Sequence, residues 1–120
     1  MFTRTAALPT MSSFSILGWF FMSVDRNDYT GFIAFGDSSG GNQQEIMTDA
    51  DGTTLALWNG FNFPTGASVP VGQWFHLALV GAGTGSGSVF AYLNGKLAIT
   101  GDYSGAISAQ TIFFGNDPTI

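Results

Sequence analysis

Cysteine is absent from these 120 residues. That excludes disulfides and thiolate metal sites, and leaves the compartment open, since secreted β-sandwiches often do without a bridge. Charge is scarce: 9% of the chain, against about 25% in an ordinary soluble domain. Arg4, Arg26 and Lys96 are the three cations, and the net charge is −5. Three cations build no basic stripe, which argues against a nucleic-acid partner. A surface so poor in charge, which normally keeps a domain soluble, implies that part of it is covered by a partner. Long hydrophobic runs are missing as well. Phe14 to Val24 has the apolarity of a signal-peptide core but no basic start and no small-residue cleavage site, and Asp25-Arg26-Asn27-Asp28 follows at once. It is also short of the roughly 20 residues of a membrane span, so membrane insertion is not expected and a strand is.

Helix-period patterning is lacking, whereas 17 Gly, 12 Phe, 3 Trp and 3 Tyr punctuate short apolar runs. This is the signature of an all-β, two-sheet antiparallel sandwich, expected as one domain over residues 1–120. Phe14 to Met22 and Gln73 to Val80 are apolar on both alternating faces, as strands covered on both sides are. Trp19 and Trp74 are therefore expected in the core, and Gly18 at a close approach. Phe2 to Ala7, Gly31 to Gly36, Gln43 to Thr48, Thr53 to Trp58, Val89 to Leu93, Lys96 to Thr100 and Thr111 to Gly115 read as further strands. Asp49-Ala-Asp-Gly52 and Asn94-Gly95 are hairpin turns. Phe61 to Val71 reads as an irregular crossing, because Pro64 and Pro70 exclude a central strand. Gly81 to Ser88 reads as a flexible loop, and Asp37 to Gly41 as a turn.

The order of residues resembles the laminin-G-like, concanavalin-A-like jelly-roll superfamily. Phe14-Ser15-Ile16 with Trp19 is similar to its opening Phe-(Ser/Thr)-Ile-x-x-Trp strand. Pro70-Val-Gly72-Gln-Trp74-Phe-His76-Leu-Ala78 matches its Pro-x-Gly-x-Trp-x-His-x-Ala segment, and Tyr92-Leu-Asn94-Gly95-Lys96 its Tyr-x-(Asn/Asp)-Gly-Lys turn. The resemblance runs over residues 2 to 117 and speaks to fold more than to ligand. It also implies a further family strand after Ile112 to Gly115, which this sequence lacks, so a fragment, a minimal version or a strand borrowed from a neighbour are all open. An uncovered edge would favour assembly.

Strand order places the loops Asp25 to Thr30 and Asp49 to Gly52 at one rim. Asp25, Asp28, Asp49 and Asp51, with Asn27, are then candidate ligands for Ca²⁺, which takes hard oxygen donors and which the resemblance implies for some members. The alternative is that they are ordinary turn formers. Tyr29, Trp58 and Tyr103, at strand ends or in loops, are candidate stacking planes for a glycan; Trp58 would serve equally as a packed rim aromatic. His76 is expected half-buried in a strand, and as the only His it does not make a transition-metal site.

Catalysis finds no support. Gly36-Asp-Ser-Ser-Gly40 has the nucleophile-elbow spacing without the strand–turn–helix that elbow needs. Glucanases in the superfamily use paired carboxylates on one strand, and Glu45 is the only Glu, with no partner at i±2. The reading is a non-enzymatic module that recognises a glycan or an extracellular protein through its rim loops, with or without calcium, outside the cell or on a particle or cell surface. The alternative is a structural or decoration subunit of a virion or surface assembly that mainly self-associates as a homo-oligomer.

Overall fold

The computed structural model describes residues 2–4, 13–36, 44–58, 62–83, 85–103 and 111–115. Among the described residues, ten strands form two antiparallel sheets. In chain order they are β1 (Phe2–Arg4), β2 (Ser13–Phe21), β3 (Gly31–Gly36), β4 (Gln44–Thr48), β5 (Thr54–Trp58), β6 (Asn62–Ser68), β7 (Trp74–Ala82), β8 (Gly85–Leu93), β9 (Lys96–Tyr103) and β10 (Thr111–Phe114). One sheet has the order β1-β10-β3-β4-β5-β6 and the other β2-β7-β8-β9.

The sheets enclose one apolar layer. Ile33, Ile46, Leu55 and Leu57 face Phe75, Leu77, Leu79, Val89 and Ala91, each supplied by the alternate, core-facing positions of its strand. Three rings tie the layers together. Phe32 of β3 lies edge-on to Phe20 of β2 at 5.7 Å and to Phe75 of β7 at 5.4 Å, while Phe20 and Phe75 stack at 6.3 Å. Gly81 supports this layer by what it lacks: paired with Phe14, it would put a Cβ 2.3 Å from that ring. The close approach is at Gly81 and not at Gly18, where a Cβ would meet Phe20 at an ordinary 3.5 Å.

The expectation that β2 and β7 are buried on both faces is overturned. Trp19 is 66% exposed and Trp74 64%. Only one face of the four-stranded sheet meets the core, and no described residue covers the other. Two further elements differ from expectation. Residues 62–68 form β6, an edge strand whose register against β5 slips between Thr54 and Ala56; Pro64 is tolerated because an edge leaves one row of backbone groups without a ladder. Residues 81–88 are largely strand: β7 runs to Ala82 and β8 starts at Gly85. There the ladder slips between Gly85 and Val89, and side chains take over, with Gly87 N–H donating to Asp102 Oδ1 at 2.9 Å and the Ser88 hydroxyl to the Gly85 carbonyl at 2.7 Å. The expected turn at 37–41, with the Ser-Ser of the elbow-like spacing, lies outside the described residues, as do 5–7 of the first expected strand.

Candidate functional site

The outer face of the four-stranded sheet follows from strand register. On β2 the odd positions Ser13, Ser15, Leu17, Trp19 and Phe21 point away from the core; on β7 the even positions Trp74, His76, Ala78, Val80 and Ala82 do. Phe21 pairs with Trp74 and Trp19 with His76. The first pair of rings sits at 5.5 Å, tilted by 58°, and the second at 5.2 Å, edge to face. Successive rows along a strand are about 7 Å apart, so the four rings make a compact plateau. Phe90 and Tyr92 of β8 continue it through their pairs with Val80 and Ala78. None of these positions carries Asp, Glu, Lys or Arg. The β7–β8 ladder continues past Leu93 at this face: Asn94 N–H donates to the His76 carbonyl at 2.8 Å, and Asn94 Oδ1 accepts from His76 N–H at 2.9 Å.

The two acidic loops do meet at one rim. Thr48 N–H donates to the Thr30 carbonyl at 2.9 Å, and Thr48 Oγ accepts from Thr30 N–H at 2.8 Å. A Cβ on Gly52 would stand 2.1 Å from Asp25 Oδ1 and 2.7 Å from the Asn27 nitrogen. Each carboxylate, however, is engaged in its own turn. Asp25 accepts from Asn27 N–H, Asp28 from Tyr29 N–H, Asp49 from Ala50 N–H, and Asp51 from Thr53 and Thr54 N–H. Among the described residues no group of three or more His, Cys, Asp or Glu comes together to hold a metal ion.

The Thr54 hydroxyl, which donates to Asp51 Oδ2, and the Thr54 and Thr53 N–H groups hold the Asp51 carboxyl below its ordinary value. A carboxylate with a depressed folded pKa contributes stability that is complete above the ordinary range and is lost as pH falls through the folded value. Asp51→Asn should therefore flatten the acid limb of the stability curve, read as a smaller fall in urea midpoint than the parent shows between neutral and strongly acid pH.

The three expected stacking residues do not converge. Tyr29 stays 39% exposed in the rim loop. Trp58 is half-buried at the far end of β5 from the 49–52 turn, about 15 Å away at the rise of a strand, and pairs with Glu45 and Asn62. Tyr103 closes β9 in the other sheet opposite Gly85, and its side chain lies outside the described residues. The plateau of Trp19, Phe21, Trp74 and His76 was missed. Its signal was available in Ser13, Ser15 and His76, polar residues that share its alternating positions.

The ten strands of the described residues, in two antiparallel sheets, define a lectin-like β-sandwich. The chain belongs to the concanavalin A-like lectin/glucanase superfamily, whose family model matches residues 2–119. No curated protein matches it in sequence. Among solved structures it is similar to a heptameric SAP-like pentraxin from Limulus polyphemus, with a TM-score of 0.62 and 20% identity over 92% of this chain and 54% of that one. It is similar also to a protein of Bacteroides ovatus ATCC 8483 described as a candidate carbohydrate-binding protein, with a TM-score of 0.63 and 17% identity over 98% and 31%. A third is the carbohydrate-binding module CBM66 of Bacillus subtilis, with a TM-score of 0.57 and 18% identity over 94% and 81%. The chain thus spans about half of the pentraxin and a third of the Bacteroides protein. At these identities the likeness is one of fold.

Proposed function

We propose that this chain is a non-catalytic glycan-binding module and that the aromatic plateau of the four-stranded sheet is its recognition surface. The observation that carries the reading is the exposure of Trp19 and Trp74 on a regular, uncharged sheet face. Large rings exposed to water offer area to the apolar side of a sugar ring at little cost in side-chain entropy. His76, Ser13 and Ser15 supply the few polar groups that a mainly apolar site uses to orient its ligand. Two of the similar structures are described as carbohydrate-binding, which makes a glycan the first occupant to test. The absence of catalysis is supported by Glu45, the single Glu, being fully buried in β4.

Leu17, 60% exposed on the same face, with Ala78 and Val80 beside it, favours a second reading, in which this face seats against another copy of the chain. One experiment separates the two. Retention on insoluble cellulose, chitin and xylan, and titration with their soluble oligosaccharides, should show binding that Trp19→Ala/Trp74→Ala weakens at least about tenfold, as loss of two central aromatic anchors does. A monomeric parent by light scattering, together with that loss, supports the glycan reading. A dimer that the double variant dissociates, with no retention on any polysaccharide, overturns it in favour of self-association.

A further inference from the structure

The plateau ends beside a pocket of about 310 Å³ whose wall includes Phe21, Ser23, Arg26, Thr30 and Gly115. The pocket is open and mixed in character, unlike the plateau. Phe21 belongs to both: it borders the cavity and its ring pairs with Trp74 at 5.5 Å. An aromatic pair thus adjoins a cavity lined by Ser23, Arg26 and Thr30 together with Met22 and Val24. Arg26 is one of only three cations in the chain. Its sequence neighbours Asp25 and Asp28 accept hydrogen bonds from Asn27 N–H and Tyr29 N–H in their own turns.

On the reading that the plateau binds a glycan, we propose that the Arg26 pocket takes the carboxylate of an acidic sugar residue whose ring lies over Phe21 and Trp74. The guanidinium fork matches a planar carboxylate with two parallel N–H donors, and Ser23 and Thr30 carry hydroxyls for the ring. Charge narrows the ligand further. A chain of net charge −5 repels a dense polyanion at long range, so one Arg in a mixed pocket selects an isolated carboxylate on an otherwise neutral glycan.

The test is calorimetric titration of the parent, Arg26→Gln and Trp74→Ala with a neutral xylo-oligosaccharide, the same oligosaccharide bearing one glucuronic acid branch, and a sulfated counterpart. The parent should bind the glucuronate form roughly fivefold more tightly than the neutral one, the scale of a partly exposed ion pair. Arg26→Gln should bring the glucuronate form down to the neutral value, and added salt should do so in part. Equal affinity for neutral and glucuronate forms, or a preference that survives Arg26→Gln, overturns the pocket assignment while leaving the plateau standing. A sulfated ligand preferred as strongly as the glucuronate overturns the assignment to a carboxylate. Binding of all three forms that Trp74→Ala leaves intact overturns the plateau itself, and the pocket with it.

Discussion

Phe75→Ala should destabilise the protein by about 3–5 kcal/mol, whereas Trp74→Ala, one residue earlier on the same strand, should cost about 1 kcal/mol. Phe75 is fully buried and touches both Phe20 and Phe32, so its removal opens a cavity between the sheets and breaks the ring contact that spans them. Each aromatic pair adds about 0.5–1.5 kcal/mol beyond area burial. Trp74 leaves most of its surface in water and its ring meets that of Phe21 at a tilt. Urea midpoints of the two variants at one pH decide the matter. Comparable losses would mean that both faces of β7 are covered, and the bare plateau would not exist.

Gly52→Ala should be the most damaging single change at the rim, costing on the order of 3 kcal/mol. Two independent penalties combine. Gly52 has φ +81°, where an L side chain costs roughly 1–2 kcal/mol. Its new Cβ would also stand 2.7 Å from the Asn27 nitrogen and 3.0 Å from the Asn27 Cα. These are backbone atoms with no rotamer to yield, so the 25–30 loop must move as a whole. The displacement should propagate to the Thr30–Thr48 bonds that staple the loops together. Amide exchange at Thr30 and Thr48 should therefore accelerate together. If the variant melts within about 1 kcal/mol of the parent, the loops are not packed as described.

The sandwich was legible because turn chemistry and alternation agree at several places. Asn94-Gly95 turns with φ values of 50° and 77°, the handedness a two-residue hairpin demands. The shared rim followed from counting strands between the two acidic loops. The burial of β2 and β7 was misread for a definable reason: a run apolar at both alternating positions describes a strand between two layers and a strand with one sticky, exposed face equally well. Period-2 analysis sorts residues into two faces but does not say which face is covered. Local composition misled in residues 81–88, where glycine and serine read as a loop although Asp102, far along the chain, completes the hydrogen bonding. The Arg26 pocket was beyond reach for a similar reason. Arg26 and Phe21 are close in sequence, but Gly115 arrives just after β10 from the far end of the chain.

The paired bonds between Asn94 and the backbone of His76 give the β8–β9 turn an unexpected reach. His76 is clamped through both its amide and its carbonyl, and its ring meets Trp19 at 5.2 Å. The strand that carries the imidazole beside that indole is thereby tied to a residue two strands away from the tryptophan. Remodelling this corner for reasons of solubility alone would shift the Trp19–His76 ring pair.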